Sequence, residues 1–127
     1  MRRLTPIPLV AVGGVLGSLG RYGLDLALPW GAGVPWATLI VNLVGAFAIG
    51  VLATSIVDVR PWIRPFAITG ILGGFTTFSA FALQTGVLVD RGCIVTAVGY
   101  VALTVAGGLV AVSTGAALGP RLRRTLS

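Results

Sequence analysis

The sequence predicts an all-α polytopic membrane protein with four transmembrane helices, the third of them broken near its middle. Three observations carry that expectation. The 127-residue chain is 56% hydrophobic and only 9% charged, where soluble domains carry roughly 25% charged residues, and its mean hydropathy is +1.02. Its apolar residues gather into four runs, each long enough to supply the roughly 20 residues that a helix needs to cross a ~30 Å hydrocarbon core. Its nine arginines and three aspartates fall at the joints between those runs or at the ends of the chain.

The first run, residues 7–29, opens after Arg2 and Arg3 and closes near Arg21 and Asp25. It continues well past the length of a signal-peptide core and three more runs follow, so it is read as a retained span. Gly13 and Gly17 are four apart and offer a face for close helix packing. Arg21 lies where the span meets the interface, where it either snorkels or draws anions toward a vestibule. Asp25, one turn away, is placed to pair with it.

The second run covers 34–57. Ala46 and Gly50 repeat the small-residue spacing, and Thr38 and Asn42 share one helical face. An amide at mid-depth needs a partner. Asn42 either bonds a neighbouring helix or offers its donors to an anion in a wet cavity.

The third run, 62–89, carries Gly70-Ile71-Leu72-Gly73-Gly74-Phe75-Thr76-Thr77-Phe78-Ser79-Ala80-Phe81 at its centre. Two adjacent glycines followed by two threonines and a serine are poor material for an uninterrupted helix. A break leaves backbone groups that must be buried in protein, face water or meet an ion. Carbonyls ending a half-helix suit a cation, and amides opening the next suit an anion. Phe78 and Phe81 are three apart and stand side by side on the second half. Their ring edges are electropositive.

The fourth run, 93–118, holds Tyr100 and Thr104 on one face and the small pair Ala111 and Gly115. Pro29, Pro35, Pro61 and Pro120 mark the span ends, where a missing N–H costs least. The runs and their short joints fill residues 1–127 as a single four-helix transmembrane domain.

Charge sets the expected orientation. Seven of the nine arginines (Arg2, Arg3, Arg60, Arg64, Arg121, Arg123 and Arg124) fall on the face that carries both termini. The positive-inside rule puts that face, and both termini, in the cytoplasm. The pI near 11.5 would otherwise suggest nucleic acid, but the basic residues flank apolar runs instead of forming a polar face. Lys, Glu and His are absent, which excludes a soluble acid–base enzyme built on them. Cys93 alone excludes an internal disulfide and a multi-cysteine metal site.

Taken together, Gly13-Gly14-Val15-Leu16-Gly17 through Gly20-Arg21-Tyr22, Thr38-Leu39-Ile40-Val41-Asn42 with Gly45-Ala46-Phe47, and Gly73 through Phe81 resemble the Fluc (CrcB) fluoride channels. The resemblance spans most of the chain and is most specific in the third run. It implies a fluoride-selective channel subunit in the cell membrane, assembled as an antiparallel dimer with two narrow pores. It further implies a structural sodium ion (not transported) at the dimer centre, held by the backbone carbonyls of Gly73 and Thr76. Phe78 and Phe81 would form an aromatic box along the fluoride pore, and Asn42 and Ser79 would hydrogen-bond the ion. Tyr100 and Thr104 resemble the start of a polar track on the fourth helix, and Arg21 the family's first-helix arginine. Ala80 stands where many members have Thr, and Gln84 where many have Glu. Beyond Thr104 the hydroxyl ladder thins to Gly108 and Val112.

The arginine bias bears on assembly, because a homodimer of opposed subunits needs one sequence to insert both ways. Pairing with an oppositely oriented homologous subunit is therefore expected. The rival reading is a small four-span proton-coupled drug exporter, which needs a carboxylate inside the first span; Asp25 lies near that span's end. A non-transporting scaffold would explain the glycines but not Asn42, Arg21 and the Thr-Thr-Phe-Ser run together. An intramembrane enzyme lacks a histidine partner for Cys93.

Overall fold

The computed structural model describes residues 6–55 and 60–126, and every described element is helical. Helix α1 spans Ile7–Ala27 and α2 spans Trp36–Ser55. The third span begins as a wide π-type segment, Arg64–Leu72, and tightens into the single turn α3, Gly73–Phe75. It resumes after two residues as α4, Phe78–Asp90, and α5 runs from Ile94 to Leu126. Four helical runs are long and apolar enough to cross a membrane, with Arg64–Asp90 counted as one.

Local chemistry sets most of the boundaries. Pro29 disfavours helical backbone at the residue before it, and Leu28 accordingly leaves the helix at φ −127°, ψ 66° while its N–H still bonds the Leu24 carbonyl. Pro35 precedes α2 and gives its carbonyl to the Leu39 N–H at 3.1 Å. Pro65 sits in the first turn of its segment, where the lost N–H had no partner. The fourth span differs from the expected 93–118, because the helix passes through Pro120 to Leu126. A proline ring removes one helical bond, while Arg123 and Arg124 in the last turn suit the negative end of the helix dipole. At 33 residues this helix rises about 50 Å, several turns more than the hydrocarbon core requires. Arg2, Arg3, Val57 and Asp58 lie outside the described residues.

The small residues decide which helices touch. Gly13 and Gly17 are buried against the backbone of the third span: a Cβ on Gly13 would strike the Phe66 carbonyl oxygen, and one on Gly17 the Ile71 carbonyl oxygen. In the same way Gly50 meets the Val112 carbonyl, Gly115 the Phe47 carbonyl, and Gly119 the Thr54 side chain. Backbones this close let dispersion and weak polar contacts hold helices together where lipid offers no hydrophobic drive. Positions rise together along both seams, so α1 runs parallel to the third span and α2 parallel to α5. A second cluster, Leu39, Leu88, Ala97 and Tyr100 with Trp30, Val34, Leu43 and Phe81 around it, fills the space between α2, α4 and α5.

This arrangement gathers Arg60, Arg64, Arg121, Arg123 and Arg124 at one face of the bundle, where α2 and α5 end and the third span begins. Arg21, Asp25, Asp90 and Arg91 lie toward the opposite face. There Arg91 ties two connections together. Its Nη1 donates to the Gly31 carbonyl at 3.0 Å, and its guanidinium lies 5.2 Å from the Trp30 ring centroid. Trp30 in turn donates from Nε1 to the Gly33 carbonyl at 2.9 Å. Gly33 and Gly92, at φ 72° and 79°, take a left-handed backbone that a side chain would strain. Replacing Arg91 with Gln should remove the ring contact, worth about 0.5–1 kcal/mol at an exposed site. Thermal unfolding in detergent should show a melting point lower by a few degrees, with ion transport unchanged.

Candidate functional site

The site forms where the third span is interrupted. Thr76 and Thr77 are both extended, at φ −80°, ψ 155° and φ −149°, ψ 123°. Gly73 remains helical at φ −62°, ψ −37°. The interruption therefore falls at the threonines, and Gly74 serves the α1 seam instead: a Cβ on it would meet the Gly14 carbonyl oxygen and Ser18. The Thr77 hydroxyl satisfies a helix end, whereas that of Thr76 shares a carbonyl already bonded by the Thr76 N–H at 2.9 Å. Thr76 Oγ1 donates to the Leu72 carbonyl at 2.8 Å, and Thr77 Oγ1 accepts the Ala80 N–H at 3.2 Å as the N-cap of α4. Thr77 Oγ1 also lies 3.2 Å from Ser79 Oγ.

Asn42 holds the extended pair from across the bundle. Its Nδ2 donates to the Thr77 carbonyl at 3.0 Å and its Oδ1 accepts the Thr77 N–H at 2.8 Å. The carboxamide thus pairs with both main-chain groups of one residue, as a neighbouring strand would. Gly45, on the same helix, makes room for the Thr76 methyl. These bonds have a consequence for the carbonyls. In a continuous helix the Thr77 N–H would go to Gly73 O and the Ala80 N–H to Thr76 O. Here the first is given to Asn42 and the second to the Thr77 hydroxyl. Gly73 O and Thr76 O are left without those helical donors.

Beside the interruption is a cavity of about 320 Å³ lined by Asn42, Thr76, Thr77, Phe78, Phe81, Thr104 and Val105. The Phe78 and Phe81 rings are 5.9 Å apart and tilted by 57°. Phe78 is 78% exposed, whereas Phe81 meets the Tyr100 ring edge-on at 5.2 Å. Tyr100 is fully buried and donates its hydroxyl to Gln84 Oε1 at 2.9 Å. Thr104 lines the cavity, and its Oγ1 donates its hydrogen to the Tyr100 carbonyl at 2.8 Å. Asn42 has two amide hydrogens and gives one to Thr77, so a second remains for a guest. The lining combines one free N–H donor with two aromatic rings, a set suited to a small anion and lacking a fixed cation that would trap it.

The structure brings Asn42, Thr76, Phe78, Phe81 and Thr104 to one cavity. Gly73 lies in the turn before it, and Ser79 is exposed beside it with its hydroxyl on Thr77. Tyr100 stands behind Phe81 and not in the lining. Arg21 is half-buried one residue past Gly20, which packs on the Phe75 ring. Asp25 is exposed and forms no ion pair with it among the described residues. Gly108 faces open space, and the Val112 carbonyl belongs to the Gly50 seam. Two contributors escaped the sequence reading. Thr77 carries a signal that was available, a hydroxyl residue immediately before a helical apolar run. For Gln84 the sequence marked the position but not the contact, which depends on how α4 crosses α5.

Comparison with known proteins gives a consistent result. The family model described as CrcB-like protein, Camphor Resistance (CrcB), matches residues 8–116. A protein of Paracoccus denitrificans named fluoride-specific ion channel FluC is 49% identical over 112 residues, covering 87% of this chain and 90% of its own. One of the same name from Rhodospirillum centenum is 47% identical over 110 residues, covering 80% of this chain and 87% of its own. Another, from Bordetella petrii, is 43% identical over 127 residues and covers 94% of this chain and 98% of its own.

Proposed function

The chain belongs to the CrcB family, and from that premise we propose that it is one subunit of a fluoride-selective channel that lets cytoplasmic fluoride leave the cell passively. It is a multi-pass membrane protein whose relatives are named as channels and not as enzymes. The observation that carries the reading is the cavity at the interruption, where the Asn42 amide and the Phe78–Phe81 pair converge. Fluoride is small and holds its water tightly, so a conducting site must replace that water with donors. It must also bind weakly enough to release the ion. Ring edges and a single amide hydrogen meet both needs. The weak acid HF enters uncharged and ionises inside, so a passive path for the anion lowers the internal concentration.

Assembly follows from what the single chain leaves uncovered. Phe78 and Ser79 are exposed at mid-span and the cavity is walled on one side only. Polar groups facing lipid are costly, and a second subunit would cover them. An antiparallel dimer is proposed, with both termini of this chain cytoplasmic. The excess of arginine on one face favours a single insertion direction, hence an oppositely oriented homologous partner. Gly73 and Thr76 fit a structural sodium ion: their carbonyls have lost the amides of a continuous helix, and a hard cation takes such oxygens. When bound, sodium would supply positive charge that fixes the interruption between subunits. Proton-coupled drug export finds no support, as Asp25 is exposed in the last turns of α1.

Efflux from liposomes tests this. Fluoride should leave quickly and chloride negligibly, and removal of sodium should suppress the fluoride flux. Equal permeability to both anions, or no flux from the chain alone and with its partner, would overturn the channel reading. Flux indifferent to sodium would remove the metal from it.

A further inference from the structure

The two faces of the bundle differ in charge. One gathers Arg60, Arg64, Arg121, Arg123 and Arg124 and, among the described residues, no carboxylate. On the other, Arg21 and Arg91 are balanced by Asp25 and Asp90, and Arg91 is engaged with Gly31 and Trp30. The basic face is also apolar in part: Trp62, Leu122 and Leu126 are 48%, 46% and 74% exposed. Leu122 and Leu126 are four residues apart on the part of α5 that continues past Pro120. This part holds three arginines and outlasts the hydrocarbon core.

We propose that this face is a binding surface for anionic phospholipid headgroups, with Arg121, Arg123 and Arg124 on α5 and Arg60 and Arg64 at the start of the third span as its cationic groups. Guanidinium groups match phosphate oxygens two at a time. Arginine stems lie along apolar surface while their heads reach the interface, and tryptophan favours the same depth. A free phosphate would satisfy the arginines alone. The exposed Trp62, Leu122 and Leu126 side chains beside them commit the surface to a lipid, whose acyl chains they meet. The assignment rests on the membrane-spanning fold and not on which ion the channel carries.

Equilibrium binding of labelled dioleoylphosphatidylglycerol and dioleoylphosphatidylcholine to the delipidated full-length protein in detergent decides it. Phosphatidylglycerol should bind on the order of a thousandfold tighter, given roughly fivefold for each of the five basic residues near an anionic headgroup. That preference should shrink as salt is raised. The triple variant Arg121→Gln/Arg123→Gln/Arg124→Gln should lose on the order of a hundredfold, with phosphatidylcholine binding unchanged. Arg60→Gln/Arg64→Gln should lose less, in the same direction, and reads the proposal independently if the triple variant does not fold. Millimolar inorganic phosphate should not compete; displacement by it would assign the face to free anions and overturn the lipid. Equal binding of the two lipids, or undiminished phosphatidylglycerol binding in the folded variants, would also overturn it.

Discussion

Replacing Asn42 with alanine is expected to stop fluoride efflux and to destabilise the bundle. The side chain makes two hydrogen bonds to the Thr77 main chain, at 2.8 and 3.0 Å, and its loss strands an N–H and a carbonyl together. In water-soluble cores such groups cost about 1–3 kcal/mol each. Inside membranes, measured interhelical bonds average only about 0.6 kcal/mol, with a maximum near 1.7. The membrane values govern here, so about 1–3 kcal/mol is expected for the pair, read as a lower melting point in detergent. Flux should fall much further, because the same amide is the free donor in the cavity. Asn42→Asp separates the two effects. It keeps the acceptor for the Thr77 N–H but removes the donor and adds a negative charge. Flux should be lost with a smaller drop in melting temperature. Normal flux in either variant would show that the amide does not meet the ion.

Phe81→Ile should leave a folded protein whose fluoride flux is at least about tenfold lower, the factor that corresponds to 1.4 kcal/mol. The ring is in contact with both Phe78 and Tyr100, and aromatic pairs of this kind add about 0.5–1.5 kcal/mol beyond burial. Isoleucine fills much of the volume without the electropositive edge. Phe78→Ile makes the contrast: Phe78 is 78% exposed in the single chain, so stability should hardly change while flux falls. Efflux assays paired with melting curves check both. Unchanged flux in the two variants would remove the rings from the pathway.

Much of the architecture could be read from composition alone. Four spans emerge because crossing a bilayer demands apolar length more than any particular contact. The small-residue pairs also foretold real seams, since Gly13, Gly17, Gly50 and Gly115 each touch another backbone. The third span was harder. Its glycines drew attention as helix breakers, yet Gly73 stays helical and Gly74 serves the approach of α1. Thr76 and Thr77 carry the extended backbone, because Asn42 and the Thr77 hydroxyl satisfy the amides that result. That partnership joins residues 35 positions apart, and periodicity is blind to it. The same limit hid the link from Gln84 to Tyr100. Pro120 misled in the other direction, since a lipid-embedded span and a helix need not end together.

The pairing of parallel helices bears on how the chain is made. Helices of like direction are never consecutive in a four-span chain, so neither of the two tight seams can close between a span and its immediate successor. While the nascent polypeptide leaves the insertion machinery, α1 must wait for Gly70 and Ile71, and the bare groove at Gly50 must wait for Val112 and Ala116. Until α5 arrives, α2 has lipid where its closest neighbour will be. Biogenesis of this bundle therefore separates into an early stage of threading and a late stage of docking, and a ribosome stalled before the final span would leave half of the contacts unmade.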